Sequence, residues 1–200
     1  MELVNVVCLY WGQKYKIEYV NILYNMVQRH LTIPHKFIIY TDHVKMKKLV
    51  KGDNIEVRKL PFHDYTGWWN KLTLFSPEAN LTGNNLYFDL DVVITENIDC
   101  FITHKPQKQV LLIRDFNTST KGFNSSIMRF RNEVMTPKVW EPFLEERTRF
   151  KKLQGDQNVI SECIKQTPDL YDIFPDEWTF SAKWFDREDA RFSRSKWTFE

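Results

Sequence analysis

The sequence is poor in the small residues that many nucleotide-binding folds use to hold phosphate. Only six of the 200 residues are glycine and eight are proline. Neither G-x-G-x-x-G nor the G-K-[ST] end of a P-loop occurs, which excludes a glycine-rich phosphate cradle. Any phosphate group that this chain binds must therefore be held in another way.

Three further absences exclude other classes of protein. The three cysteines are odd in number, far apart and in no zinc-ligand spacing, so we expect free thiols in a reducing compartment. A net charge of +2 is too balanced for a dedicated nucleic-acid binder. No apolar run approaches the roughly 18 residues of a membrane span, and the N-terminus has no basic targeting region. We therefore expect a cytoplasmic protein.

What the chain does have is a regular alternation of apolar strands and amphipathic helices. Strands are predicted at 3–10, 36–41 and 55–60, separated by a helix over 17–31 and a basic helix from about Lys45. This order predicts a parallel sheet with right-handed crossovers. The remaining predicted elements are helices at 68–75, 137–153 and 156–165, and strands at 86–94, 110–114 and 126–130.

Two carboxylates interrupt the most apolar of these strands. Asp89 and Asp91 flank Leu90, so at the strand period of two both carboxylates would point to one face. Two like charges at that spacing repel, which favours a cation between them unless both simply face solvent at a strand end. Oxygen ligands suit Mg²⁺ or Mn²⁺, which also take water and phosphate oxygens. We therefore expect a divalent ion that binds a diphosphate here.

Four segments follow one another along the chain: 69–72 (WNKL), 89–91 (DLD), 123–128 (FNSSIM) and 155–158 (GDQN). In these residues and in this order they resemble the motifs of GT-A-fold glycosyltransferases of the glycogenin and galactosyltransferase-like type. The likeness extends over most of the chain and implies an α/β fold, a single GT-A (Rossmann-like) domain over 1–200 with a mostly parallel central sheet flanked by helices. The nucleotide-binding half would end near residue 95, with the acceptor side after it.

The resemblance implies a metal-dependent glycosyltransferase. It would move a sugar from a nucleoside diphosphate sugar, with UDP-sugars expected first, to a hydroxyl on a glycan or glycoprotein acceptor. Asp89 and Asp91 would hold Mn²⁺ or Mg²⁺. The residues that would contact the donor nucleotide or sugar are Tyr10, Trp11, Thr41, Asp42, Lys71, Asn124, Ser125, Gln157 and Lys183.

The catalytic residue depends on the stereochemistry of transfer. An inverting enzyme needs a carboxylate that deprotonates the acceptor, and Asp156 is the first candidate, with Asp115 as the alternative. A retaining enzyme needs no strong base, and Gln157 or Asn124 would then only position the sugar. Both stereochemical outcomes stay open at this point.

Several of these residues also have a purely structural interpretation. Tyr10 and Trp11 could form an aromatic pair in the core, and Lys71 could be an exposed helix lysine. Asp156 could be only the N-cap of the helix that follows it. These alternatives predict different burial and different hydrogen-bond partners for the same side chains.

The sequence also departs from the family pattern. Ser126 stands where these relatives have glycine, and the last histidine is His104, so no late histidine is present as a third metal ligand. Lys183 would supply the phosphate-binding lysine alone. The chain resembles compact glycosyltransferase domains encoded by large algal viruses, and we expect it to be a piece of a longer polypeptide. No oligomeric state is predicted.

Other functions fit parts of the same pattern. Residues 89–93 (DLDVV) satisfy the D-x-D-x-[TV] motif of haloacid-dehalogenase phosphatases, although that motif normally lies close to the N-terminus. A nucleotidyltransferase could use the same sheet and metal. A sugar-nucleotide or glycan binding module without turnover could use the fifteen Phe and seven Trp to stack on sugars.

Overall fold

One mixed sheet of seven strands organises the chain. The computed structural model describes residues 3–43, 45, 50, 52–117 and 119–184. In those residues the strand order is β3-β2-β1-β4-β6-β5-β7, and β6 alone runs antiparallel to its neighbours, β4 and β5. The strands are β1 (Val4–Tyr10), β2 (His35–Thr41), β3 (Ile55–Lys59), β4 (Asn85–Phe88), β5 (Val110–Arg114), β6 (Phe123–Phe130) and β7 (Tyr171–Ile173).

Helices cover both faces of this sheet. The α-helices are α1 (Ile17–His30), α2 (Trp69–Leu72), α3 (Asp99–Thr103), α4 (Asn132–Met135), α5 (Glu141–Glu145), α6 (Arg147–Phe150) and α7 (Asp156–Ile164). A π-helical turn (Thr136–Trp140) joins α4 to α5, and 3₁₀ turns lie at Thr73–Phe75, Pro77–Ala79 and Asp176–Trp178. No helix among the described residues is long and apolar enough to cross a membrane.

The alternation of side chains along β1 explains why that strand is apolar throughout. Val6 and Cys8 face the core beneath α1, whereas Val7 and Leu9 face the core beneath α5 and α7. All four are buried, so the strand has no polar face. The amphipathic face of α1 closes one of these cores, as its helical period predicts.

Most of the predicted elements are confirmed, several to within a residue. The predicted strands at 3–10, 36–41, 55–60 and 110–114 and the helix over 17–31 are all present. The three cysteines are unpaired, as expected. The predicted basic helix from Lys45 falls largely on residues outside the described part of the chain.

Three predicted elements are wrong in extent, and one of them, the strand predicted over 126–130, begins at Phe123. The predicted helix over 137–153 is broken into a π turn and two short helices, because Pro137 and Pro142 each remove a backbone donor. The predicted strand over 86–94 ends at Phe88. The backbone N–H of Asp89 still bonds to Ser126 O at 2.9 Å, but Val92 N–H then returns to Asp89 O at 3.2 Å. The two aspartates therefore lie in a turn after β4.

Candidate functional site

The carboxyl ends of β1 and β4 open into a cleft of about 480 Å³, whose other wall comes from β6 and the start of α7. In open α/β sheets this is the edge at which ligands bind. The cleft brings together seven of the residues that the sequence predicts: Trp11, Lys71, Asp89, Asp91, Ser125, Asp156 and Gln157. Leu9, Lys14, Tyr15, Gly67, Trp68, Tyr87, Leu90 and Ser126 complete its lining.

Lys71 lies at the floor of this cleft and joins three segments of the chain. Its ammonium nitrogen is 2.9 Å from Asp89 Oδ1 and 3.3 Å from Asp156 Oδ2. It also donates to the backbone oxygen of Ser125 at 3.2 Å and to its hydroxyl oxygen at 3.0 Å. Only 9% of the Lys71 side chain is exposed, so the interpretation as an exposed helix lysine is wrong.

The charges of this cluster support each other's ionisation. Burial lowers the pKa of Lys71, but Asp156 and Asp89 raise it more, and the net pKa is above its ordinary value. Burial raises the pKa of Asp89, but the ammonium of Lys71 lowers it more, and the net pKa is below its ordinary value. Lys71 is therefore a cation and Asp89 an anion at neutral pH.

Each aspartate of the D-x-D segment also accepts a bond from a tyrosine. The Tyr87 hydroxyl donates to Asp89 Oδ1 at 2.7 Å, and burial raises the pKa of Tyr87 well above its ordinary value, so the donor keeps its proton. The Tyr15 hydroxyl donates to Asp91 Oδ2 at 2.7 Å. Asp91 is exposed, whereas Asp89 is only partly so, which leaves Asp91 as the more open carboxylate.

Three carboxylates line the cleft, but Asp156 is buried, which leaves the partly exposed Asp89 and the exposed Asp91 as the pair for a divalent ion. No group of three His, Cys, Asp or Glu side chains converges among the described residues, so a third protein ligand is not found there. Mg²⁺ and Mn²⁺ are commonly held by one or two carboxylates, with water and substrate phosphate completing the shell. The residues present therefore fit a metal that binds together with a diphosphate.

Asp156 is the first residue of α7 and is buried, with its carboxylate turned toward β6. The Ser125 hydroxyl donates to Asp156 Oδ2 at 2.7 Å, and Lys71 lies beside the same oxygen. The N-cap of α7 is Gly155, and no side chain caps the helix. The interpretation of Asp156 as only an N-cap is therefore wrong.

The alternative catalytic residue, Asp115, lines a different cleft. This second cleft, of about 400 Å³, lies between Asp115 with residues 120–123 on one side and α7 on the other. Asp115 accepts the backbone N–H of Asn117 at 3.1 Å and the hydroxyl of Thr120 at 2.8 Å. Gln157 lines both clefts, and the Asn124 amide donates to Gln157 Oε1 at 3.4 Å.

The predicted aromatic pair after β1 is divided between two roles. Tyr10 is buried in the core beneath α1 and stacks on His43 with ring centroids 4.6 Å apart, as the structural alternative predicts. Trp11, the next residue, lines the cleft. Gly12 follows Trp11, and its φ of +62° favours glycine at this turn of the chain.

Four other predicted donor contacts do not line the cleft, namely Thr41, Asp42, Asn124 and Lys183. Thr41 and Asp42, at the end of β2, are engaged locally: Asp42 accepts the N–H of Gly12 at 3.1 Å, and Thr41 Oγ1 accepts the N–H of His43 at 3.0 Å. The bond from Gly12 to Asp42 connects the end of β2 to the loop that carries Trp11. Lys183 is exposed and is also absent from the residues that line either cleft.

The sequence did not single out three residues that the structure places in the cleft. Lys14 and Tyr15 lie in the loop between β1 and α1, and Trp68 precedes α2. The pKa of Lys14 is raised, first by the hydrogen bond between Lys14 and Tyr15 and then by the negative charges of Asp91 and Asp89. The signal available in the sequence was their position after predicted strands, where functional loop residues concentrate.

The fold resembles that of a solved enzyme. The crystal structure of the glycosyltransferase GlyE from Streptococcus pneumoniae TIGR4 matches with a TM-score of 0.66 and 15% identity, over 92% of this chain and 48% of that one. Its apo form matches with a TM-score of 0.64 and 14% identity over the same shares. No protein-family model and no curated protein matches the sequence. The chain spans about half the length of these solved structures and has the fold of a glycosyltransferase domain.

Proposed function

We propose that this domain is a glycosyltransferase that takes a nucleoside diphosphate sugar, first among them UDP-sugars, and transfers the sugar to a hydroxyl of a glycan or glycoprotein. The observation that carries the proposal is the buried Lys71–Asp89–Asp156 cluster at the floor of the cleft. It lies at the ligand-binding edge of a sheet with a glycosyltransferase fold. Burying charged side chains costs free energy, so a fixed cluster of them at this edge favours a role in ligand binding.

The hard step in this reaction is departure of the diphosphate, which gathers negative charge as the sugar bond breaks. Asp89 and Asp91 would hold Mn²⁺ or Mg²⁺, which when bound neutralises diphosphate charge as a Lewis acid. Lys14 lies on the rim beside the same two aspartates, and its raised pKa keeps it cationic. We propose Lys14 as a cation for the leaving phosphates in addition to Lys183.

The contacts of Asp156 support a positioning role. The Lys71 ammonium and the Ser125 hydroxyl both contact Asp156 Oδ2, so this oxygen is already engaged within the cluster. Through these contacts Asp156 orients Lys71 and the start of α7, and Gln157 extends into the cleft. This arrangement favours transfer without Asp156 as the base, and a retaining enzyme needs no strong base.

The direct test is turnover of a panel of UDP-sugars, followed as release of UDP with Mn²⁺ present or chelated. We expect release with at least one UDP-sugar, dependence on the metal, and loss of at least tenfold in rate for Asp91→Ala, about the effect of one charged ligand. Glu96→Ala, an exposed carboxylate outside the cleft, is the control. Full turnover by Asp91→Ala would exclude the metal assignment. Tight UDP binding with no release from any donor would indicate a binding module instead.

A further inference from the structure

Trp68 is a large apolar side chain that the fold leaves 56% exposed although it lines the cleft. The tryptophans near it in sequence and space are used differently: Trp69 stacks on Phe143 with centroids 5.9 Å apart, and Trp140 is buried in the same aromatic cluster. Exposing an indole forgoes the favourable burial that those residues gain. Trp68 is therefore placed where a ligand can cover it.

The backbone around Trp68 fixes where its ring lies. Gly67 has a φ of +64°, which favours glycine and turns the chain into α2. A Cβ atom at Gly155 would lie 3.7 Å from both Cδ1 and Nε1 of the Trp68 ring, so the indole lies alongside the first residues of α7. Asp156 and Gln157 follow immediately and line the same cleft. An aromatic ring and polar side chains thus share one wall.

This wall is distinct from the one that carries Trp11. Trp11 belongs to the loop that directly follows β1. Trp68 lies against the start of α7, where Gln157 lines both this cleft and the second one. A ligand that covers Trp68 and reaches Gln157 would therefore extend from the donor cleft toward the second cleft.

We propose that Trp68 is the platform on which the pyranose ring of a carbohydrate acceptor stacks, an inference that rests on the proposed glycosyltransferase function. A pyranose presents an apolar C–H face and an edge of hydroxyl groups. The indole takes the apolar face, and the Gln157 amide bonds to the hydroxyl edge. The acceptor is then a glycan, or the glycan part of a glycoprotein, and Trp68 sets its specificity.

The test separates the acceptor subsite from the donor site by measuring two ligands on the same variants. UDP binding with Mg²⁺ is measured by calorimetry. Binding of methyl β-galactoside, methyl β-glucoside and methyl β-N-acetylglucosaminide is measured by saturation-transfer NMR on the UDP-loaded protein. The variants are Trp68→Ala, Trp68→Phe and, as a control, Phe180→Ala, an aromatic side chain that is 64% exposed and lines neither cleft.

We expect at least one glycoside to bind, and Trp68→Ala to weaken it about tenfold while UDP affinity changes less than twofold. Trp68→Phe keeps a smaller ring and should lose about threefold, and Phe180→Ala should bind like the parent. No binding of any glycoside, or unchanged glycoside binding by Trp68→Ala, would overturn the acceptor platform even if UDP binds. An equal loss of UDP binding would place Trp68 in the donor site and also overturn it. Failure of the parent to bind UDP would instead refute the proposed function.

Discussion

The floor and the rim of the cleft are held by different means. The floor, defined by Lys71, Tyr87, Asp89, Ser125 and Asp156, is joined by ion pairs and hydrogen bonds between β4, β6, α2 and α7. The rim, defined by the loop 11–16 with Asp91 and Trp68, is more exposed and has few such bonds. Substitutions at the floor should therefore cost folding stability as well as function, and those at the rim mainly ligand binding.

The largest effect is expected at the centre of the floor. Lys71→Met keeps the length of the side chain but leaves Asp89 and Asp156 without their shared cation. Loss of one partner of a buried pair costs 3–5 kcal/mol, and since 27% of the Asp89 side chain is exposed we expect about 3 kcal/mol. The measurement is urea denaturation at neutral pH.

Lys138→Met is the matched control, because Lys138 is exposed on the π turn between α4 and α5. It should unfold at the same urea concentration as the parent. A Lys71→Met protein as stable as the parent would show that the ion pairs of Lys71 do not stabilise the fold. Floor and rim would then not differ in their contribution to folding stability.

The ion pair between Lys71 and Asp89 should limit the difference in unfolding free energy between the parent and Lys71→Met to a range of pH. The pKa of Asp89 is lowered in the folded protein, so its contribution is present above the unfolded value of about 3.9 and is lost as pH falls through the folded value. The pKa of Lys71 is raised, so its contribution is present below about 10.4 and is lost as pH rises through the folded value.

The gap between the parent and Lys71→Met should therefore be widest between about pH 4 and pH 10 and should narrow on either side. Denaturation series at several pH values measure it directly. A gap that stays constant down to pH 2 would mean that packing of the lysine stem, and not its charge, stabilises the floor.

At the rim, the expected effect is smaller and specific for phosphate. Lys14→Ala should weaken UDP binding about fivefold, the scale of one exposed charge pair, and leave uridine binding unchanged. Lys183→Ala tests whether the lysine predicted from the sequence also contacts the phosphates. Calorimetry with UDP and with uridine on both variants shows which of the two lysines contributes to phosphate binding. Equal losses for UDP and uridine in Lys14→Ala would contradict a phosphate contact.

The contrast between floor and rim also explains what the sequence could predict. Lys71, Asp89, Ser125 and Asp156 were predicted as site residues because each belongs to a motif of fixed residue types. Their mutual contacts were not, since Lys71 and Ser125 are 54 positions apart and no local pattern encodes their pairing. For the same reason the sequence could not show that Asp156 is bound by Lys71.

The fold was predictable where burial imposes a period on the chain. β1, β5 and α1 were found within a residue of their bounds because their apolar positions are continuous or recur at the helical spacing. The end of β4 was missed because Leu90 and residues 92–94 are apolar, as in a strand, while backbone hydrogen bonds turn the chain at Asp89. Lys14, Tyr15 and Trp68 lie in loops, where no period marks a residue as facing a ligand.

The smallest effect is expected from the one bond that joins the rim loop to Asp91. Tyr15→Phe removes the hydroxyl that donates to Asp91 Oδ2 at 2.7 Å but keeps the ring. A hydrogen bond that orients a metal-binding carboxylate usually supports metal affinity, and since Asp91 is exposed we expect only about threefold weaker Mn²⁺-dependent UDP binding. Tyr19→Phe, on the exposed side of α1, is the control. Unfolding should be unchanged in both variants, and stronger UDP binding by Tyr15→Phe would mean that Tyr15 competes with the metal for Asp91.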